Sequence, residues 1–398
     1  MTVKLSERVS KMQFSPIRRF NRYANEAAEQ GIKVYRLNIG QPDIETPACF
    51  MEAIRGCDDK VIAYAESGGR IELQDSIIDY FRAYGMNYCR ENIIITTGGS
   101  EALNMVFTSI LDAGDEVLMP EPFYTNYHTF ISSAGGRLVP VTTVAEEGYH
   151  YADREKIEKC ITDRTKAIVC VNPGNPTGTI LTENEIRLIL AIAREHDLWV
   201  IADEVYREFA YDNRQITSFG MFDGYADRVI IIDSVSKRFS ACGARIGCVA
   251  TKNGELYDGL MKLAQGRLCA STIDQIGAAA LYRLDRSYYD EVRAEYEGRR
   301  DTVYNEVTKI PGAVCCKPGG AFYMTVKLPV DDVEDFLMFL LTEYRDNNET
   351  VMFAPAQGFY ATPGLGRAEM RIAYVLKKED MARGVQLIAK GLEAYKNR

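Results

Sequence analysis

Between residues 90 and 285 the chain alternates short runs of branched apolar residues with longer stretches whose apolar positions recur every three or four residues. The runs predict strands at 92–97, 116–120, 137–141, 167–171, 198–203, 228–233 and 247–251. Several are almost wholly apolar instead of alternating, the pattern of strands covered on both faces. Between two of them, 183–195 carries apolar residues at 186, 189, 190 and 193 with charges elsewhere, an amphipathic helix. Strands alternating with helices predict an α/β fold, a mostly parallel sheet sandwiched by helices.

From about residue 286 the texture changes. A charged helical stretch at 285–306 precedes a β-like region at 320–326, and a further amphipathic helix covers 378–395. These predict a smaller α+β domain. The expected division is a large α/β domain over 41–285 and a small domain formed by 286–398 with an N-terminal arm, 1–40. That arm includes a helix-like 17–30 and is expected to pack on the small domain or on a partner chain. No period of 20 to 50 residues recurs.

A net charge of −9 argues against a nucleic-acid surface, which needs a basic face, but leaves a small anionic ligand open. Ten cysteines are scattered without a CxxC pair, as expected for reduced thiols in the cytoplasm. No apolar run approaches the roughly 20 residues of a membrane span, and the first 20 residues lack a signal-peptide core. The three histidines, His128, His150 and His196, have no HxxxH or HExxH spacing, so no metal site is expected. There is no GxSxG elbow or GxxxxGK[ST] loop, and Gly364-Leu-Gly366 lacks the third glycine of a dinucleotide loop.

Ligands of open α/β sheets gather beyond the carboxyl ends of the strands. Four polar clusters are predicted there. Gly98-Gly99-Ser100 opens a helix and can aim backbone N–H groups at an anion, or it is a plain turn with Ser100 as N-cap. Asn172-Pro-Gly-Asn175-Pro-Thr-Gly178 is a stiff loop able to aim a side chain. Asp203 ends an apolar strand, where a carboxylate needs a partner unless it is exposed past the sheet. Last comes DSVSKRFSACGARIG, 233–247, with Ser234, Lys237 and Arg245 among small residues. One ligand accounts for all four clusters: pyridoxal 5'-phosphate. Its phosphate suits Ser234, Arg245 and the Gly98–Ser100 turn, its aldehyde needs a lysine, and its ring nitrogen needs a carboxylate to stay protonated.

With these motifs in order, the chain resembles the class I aminotransferases of the fold-type-I pyridoxal-phosphate enzymes, in their bacterial aspartate aminotransferase-like branch. The resemblance runs from about Ser15 to the C-terminus. It rests on NPGNPTG, DEVY, and SxxK followed by GxRxG. It implies that Lys237 bonds the cofactor and shuttles a proton, and that Asp203 pairs with the pyridine nitrogen. Tyr206 and Asn175 would take the ring's phenolic oxygen, while Gly98, Gly99, Ser100, Ser234 and Arg245 would form the phosphate cup. By the same resemblance Tyr124 stacks on the cofactor, and Arg371, with Gly40 and Asn175, holds the substrate carboxylate. Tyr64 would reach the cofactor phosphate of the other subunit, implying a homodimer. Without the resemblance, Arg371 reads as a surface charge and Tyr124 as a core tyrosine.

Two features depart from the pattern. Many bacterial members that use aspartate carry a lysine where this chain reads Ser100-Glu101, and an inward-pointing acid would repel a second carboxylate. The segment 359–364 is also unlike the family. The implied reaction is ping-pong transfer of an amino group from an L-amino acid to a 2-oxo acid, with aspartate, aromatic and apolar donors all open. The alternatives are a β-eliminating C–S lyase on the same scaffold and, more remotely, a ligand-sensing domain without catalysis.

Overall fold

The computed structural model describes residues 3–12 and 14–398; Met1, Thr2 and Gln13 of the expected arm lie outside them. Strand β1 (Lys33–Arg36) precedes seven strands of one sheet: β2 (Ile93–Thr96), β3 (Glu116–Glu121), β4 (Arg137–Thr142), β5 (Thr165–Val171), β6 (Trp199–Asp203), β7 (Val229–Ser234) and β8 (Gly247–Thr251). Their spatial order is β2-β8-β7-β6-β5-β3-β4. All seven strand predictions are met within two residues at each end. The sheet is parallel except for β8, which runs antiparallel to both β2 and β7.

Side chains of the central strands alternate between two apolar layers, as the pleat requires. Val229 and Ile231 of β7 face one layer, Ile230 and Ile232 the other; in β6, Val200 and Ala202 oppose Ile201. Helices cover both layers, so neither face needs polar residues. Helix Glu183–Glu195 forms as the periodicity predicts. It starts at a capping box in which Thr182 and Glu185 satisfy each other's backbone N–H, and it buries Ile186, Ile189, Leu190, Ile192 and Ala193.

The C-terminal part contributes β9 (Tyr323–Lys327), β10 (Glu349–Met352), β11 (Ala354–Pro355) and β12 (Glu369–Ala373). The order β11-β12-β9 makes an antiparallel three-stranded sheet, while β10 pairs in parallel with β1. Phe20, Ala24, Tyr35 and Leu37 bury themselves with residues from helices Arg286–Val307, Val333–Thr342 and Lys378–Lys396. These arm residues therefore share a core with the C-terminal helices. The arm's single expected helix at 17–30 is instead a 3-10 turn, Pro16–Arg18, followed by helix Asn21–Glu29. The break lets Ile17 bury against Ala354, Ala356 and Phe359 while Ala24 turns to a different cluster.

Candidate active site

The direction of β8 explains the spacing of the opening motif. A parallel neighbour of β7 would return the chain to the far end of the sheet. An antiparallel one turns it round at the same rim, so Ser234 at the end of β7 pairs with Gly247 at the start of β8, and Gly247 also pairs with Thr96. Lys237 and Arg245 lie in the connection, beside the carboxyl ends of β5 and β6. A cleft of about 600 Å3 opens there, lined by eleven of the thirteen expected site residues. They are Gly40, Gly99, Ser100, Tyr124, Asn175, Asp203, Tyr206, Ser234, Lys237, Arg245 and Arg371.

The other two sit elsewhere. Gly98 lies directly under Arg245: with φ at +75°, a Cβ there would come within 2.4 Å of an Arg245 guanidinium nitrogen. A Cβ on Gly247 would meet the Gly98–Gly99 backbone at 2.7–2.8 Å. The glycines thus let strand, helix start and guanidinium converge. Tyr64 does not line the cleft and is 78% exposed. Ser100 is not an N-cap: the helix is Gly98–Ile110, its cap residue Thr97 makes no side-chain capping bond, and Glu101 instead accepts from the Thr97 N–H at 2.7 Å.

Within the cleft the Lys237 amine donates to the Gly40 carbonyl at 3.0 Å. Asp203 is buried at the end of β6, where its Oδ2 accepts from the Tyr127 hydroxyl at 2.5 Å. Burial pushes the Asp203 carboxyl up to about 6, against the pull of that hydrogen bond. The exposed-acid reading of Asp203 is therefore wrong. So is the surface reading of Arg371, which sits in β12, the central strand of its sheet, only 2% exposed. Its guanidinium donates to Asn175 Oδ1 at 3.1 Å and to the Asn38 carbonyl at 2.6 Å, while Nε finds no partner among the described residues. Burial depresses its basicity, and among the described residues no carboxylate pairs with it.

Three cleft residues escaped the sequence reading. Tyr127 supports Asp203 from one turn beyond Tyr124. Ser236 places its hydroxyl 2.8 Å from Ser234 Oγ, and its position in SVSK was the available signal. Tyr323 comes from β9, its hydroxyl 3.0 Å from that of Tyr206 and its ring 4.5 Å from the Arg371 guanidinium carbon. A Cβ on Gly40 would collide with the Tyr323 ring, so Gly40 is required by that contact. Behind the rim, Asp233 takes hydrogen bonds from the buried Arg207 and Arg238, and Glu204 from Arg207, Ser218 and the Phe219 N–H. The network joins the strand ends that carry Asp203 and Lys237.

The segment 359–364 has a structural role. Glu121, fully buried at the end of β3, accepts from the N–H groups of Ala361 and Thr362 at 2.8 and 3.1 Å, and from the Thr362 and Thr142 hydroxyls at 2.6 and 2.8 Å. The Phe123 N–H adds a bond to the Phe359 carbonyl at 2.8 Å. Tyr124 and Arg371 are thereby tied together from behind, since the Phe359 ring lies 5.0 Å from the Arg371 guanidinium carbon.

Known proteins are similar to this chain over nearly its whole length. Residues 32–388 match the sequence model of a family described as aminotransferase class I and II. An aspartate aminotransferase of Bacillus subtilis is 32% identical over 99% of this chain and 100% of its own length. An aromatic-amino-acid aminotransferase of Thermococcus litoralis is 30% identical over 98% of this chain and 99% of its own. A solved alanine aminotransferase from Pyrococcus furiosus superposes with a TM-score of 0.89 at 31% identity, covering 99% of this chain and 100% of that one. With a family match over most of its length and relatives aligned end to end, the chain belongs to the class I and II aminotransferases.

Proposed function

We propose that this cleft holds pyridoxal 5'-phosphate and that the chain transfers an amino group from an L-amino acid to a 2-oxo acid. The observation that carries the reading is the charge left uncompensated at two depths of one cleft. Among the described residues, Arg371 is a buried cation without an anion and Asp203 a buried carboxylate without a cation. Neither is stable alone in a low-dielectric site. The cofactor–substrate pair supplies both missing partners, a protonated ring nitrogen for Asp203 and an α-carboxylate for the planar fork of Arg371.

The remaining donors fit the same group. Arg245, the hydroxyls of Ser234 and Ser236, and the uncapped N–H groups of Gly99 and Ser100 converge where a phosphate is wanted. Tyr206 and Asn175 offer donors to a phenolic oxygen, and Tyr124 offers an aromatic face. When bound, the cofactor contributes an aldehyde that takes up amines and an electron-poor ring that withdraws electrons from the substrate α-carbon. Lys237 Nζ would take the α-proton and return a proton at the cofactor's aldehyde carbon, across the amino nitrogen, acting as base and then acid. Asp203 keeps the ring nitrogen charged. Arg371 and Asn175 fix the carboxylate, so the α-hydrogen is presented to Lys237.

The chain is also proposed to act as a cytoplasmic homodimer, built from a large domain over 41–285 and a small one over 1–40 and 286–398. Supporting the dimer, Val61, Ile62 and Tyr64 are exposed in one short segment, and Leu268 is exposed beside it. Hydrogen bonds from Arg267 to Ser67 and from Thr272 to Ala63 hold the two segments together. In that assembly Tyr64 of the partner subunit reaches the phosphate. A monomeric mass in sedimentation velocity, with undiminished cofactor affinity, would overturn the dimer.

The test of the main reading is the visible spectrum of the purified holoprotein. With a suitable amino acid the cofactor band should disappear, and a 2-oxo acid should restore it. Release of pyruvate and ammonia from a β-substituted amino acid without any acceptor would replace transamination with β-elimination. A protein that takes up no pyridoxal phosphate would refute the assignment.

A further inference from the structure

Relatives of this chain carry names that divide among aspartate, aromatic and alanine substrates, so family membership leaves the side-chain preference open. The cleft itself contains a reader for it. Four cations line it: Arg18, Lys237, Arg245 and Arg371. In the function proposed above, on which this inference rests, three of them have a task at the aldehyde, the phosphate and the α-carboxylate. Arg18 has none.

Arg18 ends the 3-10 turn Pro16–Arg18. Its neighbours along the arm are paired, Arg19 with Glu334 at 2.8 Å and Arg22 with Glu26 at 2.7 Å. The Arg18 guanidinium has no hydrogen-bond or ion-pair partner among the described residues, and it lines the cleft. Burial raises the pKa of the Tyr124 hydroxyl, and the Arg18 charge reaches it along with those of Lys237 and Arg371, pulling the other way. The base of Arg18 is held firmly. Ile17 is buried with Ala354, Ala356 and Phe359, the Ile17 carbonyl accepts from Asn38 at 3.3 Å, and a Cβ at Gly358 would meet Pro16 at 2.5 Å. Phe359 thus supports Ile17 and also lies against Arg371, so the two arginines share one scaffold.

We infer that Arg18 is the specificity-determining residue for dicarboxylic substrates, binding the distal carboxylate of an acidic amino acid and of its 2-oxo acid while Arg371 holds the α-carboxylate. The acid that would oppose such a substrate is turned away. Glu101 accepts from the Thr97 N–H, lies 3.6 Å from Arg267, and does not line the cleft. Asp203 is the sole carboxylate among the described lining residues, and it is committed to the ring nitrogen. An arginine fork on a fixed turn meets a carboxylate with two charge-assisted bonds.

The test uses the holoenzyme and two readouts. Succinate, which has two carboxylates and no amino group, is titrated calorimetrically into wild type, Arg18→Gln and Arg18→Lys. The kcat/KM for aspartate, glutamate and alanine is measured in parallel. We expect Arg18→Gln to weaken succinate binding by about 10- to 100-fold and to lower the acidic-to-alanine ratio of kcat/KM comparably, with Arg18→Lys recovering part of each. Wild type that does not bind succinate, an unchanged succinate affinity in Arg18→Gln, or equal losses for acidic and neutral donors would overturn the inference. If wild type turns over no amino acid, the transaminase reading fails, yet the succinate titration still decides the role of Arg18.

Discussion

The Tyr127 hydroxyl donates to the buried Asp203 at 2.5 Å, and it is the only side chain hydrogen-bonded to that carboxylate among the described residues, the Val205 N–H adding a backbone bond at 3.3 Å. Burial raises the carboxyl to about 6 and the phenol holds it from rising further. Asp203 must be ionised to keep a ring nitrogen protonated, so cofactor affinity falls as pH drops through this value. In Tyr127→Phe the fall should begin about one pH unit higher. Equilibrium dialysis of the cofactor between pH 5 and 8 checks this, and superimposable profiles would remove Tyr127 from the account.

The same carboxylate opposes folding of the cofactor-free protein at neutral pH. Its folded-state pKa lies above the ordinary 3.8, so its favourable contribution is complete below that value and is lost as pH rises through about 6. Asp203→Asn should therefore stabilise the cofactor-free protein at pH 7.5 by about 1–3 kcal/mol and leave it unchanged at pH 3.5. Its turnover should fall by about 100-fold or more, because the ring nitrogen loses its counter-charge. Denaturant midpoints at the two pH values, with kcat, decide the matter.

Lys237→Ala should abolish turnover, with a residual rate below about one-thousandth of wild type, while the phosphate donors still retain the cofactor. Ultrafiltration measures retention separately from rate. A variant with near-normal turnover would require a different proton carrier.

Glu121→Gln turns one acceptor of four converging hydrogen bonds into a donor facing donors. We expect a loss of about 2–4 kcal/mol in unfolding free energy, against about 1 kcal/mol for Thr362→Val, which removes a single bond. Chemical denaturation measures both. Equal losses would show that Glu121 does not act through its carboxylate.

How much of this was written in the sequence depends on distance along the chain. The seven strands and the helix over Glu183–Glu195 are declared by local periodicity. Their polar ends identify the rim, and eleven of the expected residues meet in the cleft. The reversed direction of β8 was not legible, because an apolar run of five residues reads the same both ways. Nor was the burial of Arg371: β12 alone does not reveal that β9 and β11 flank it. Tyr323 reaches Tyr206 across 117 positions, and Glu121 reaches Thr362 across 241. Contacts so far apart follow from how sheets dock, which composition and spacing do not encode. Tyr127 was hidden for another reason. It is one aromatic among 24 tyrosines, and only its partner gives it meaning.

Because β8 doubles back beside β7, every group that grips the ligand from this part of the chain lies on the single stretch from Ser234 to Gly247. The opposite edge of the sheet, where β8 ends and Asn253 begins the next helix, carries none of them. A gene cut and rejoined between Thr251 and Gly254 would move the chain's ends to that edge and keep this stretch in one fragment. A cut between Lys237 and Arg245 would divide it. Split-protein reporters and circular permutants of this enzyme therefore have a preferred seam, set by the direction of one strand.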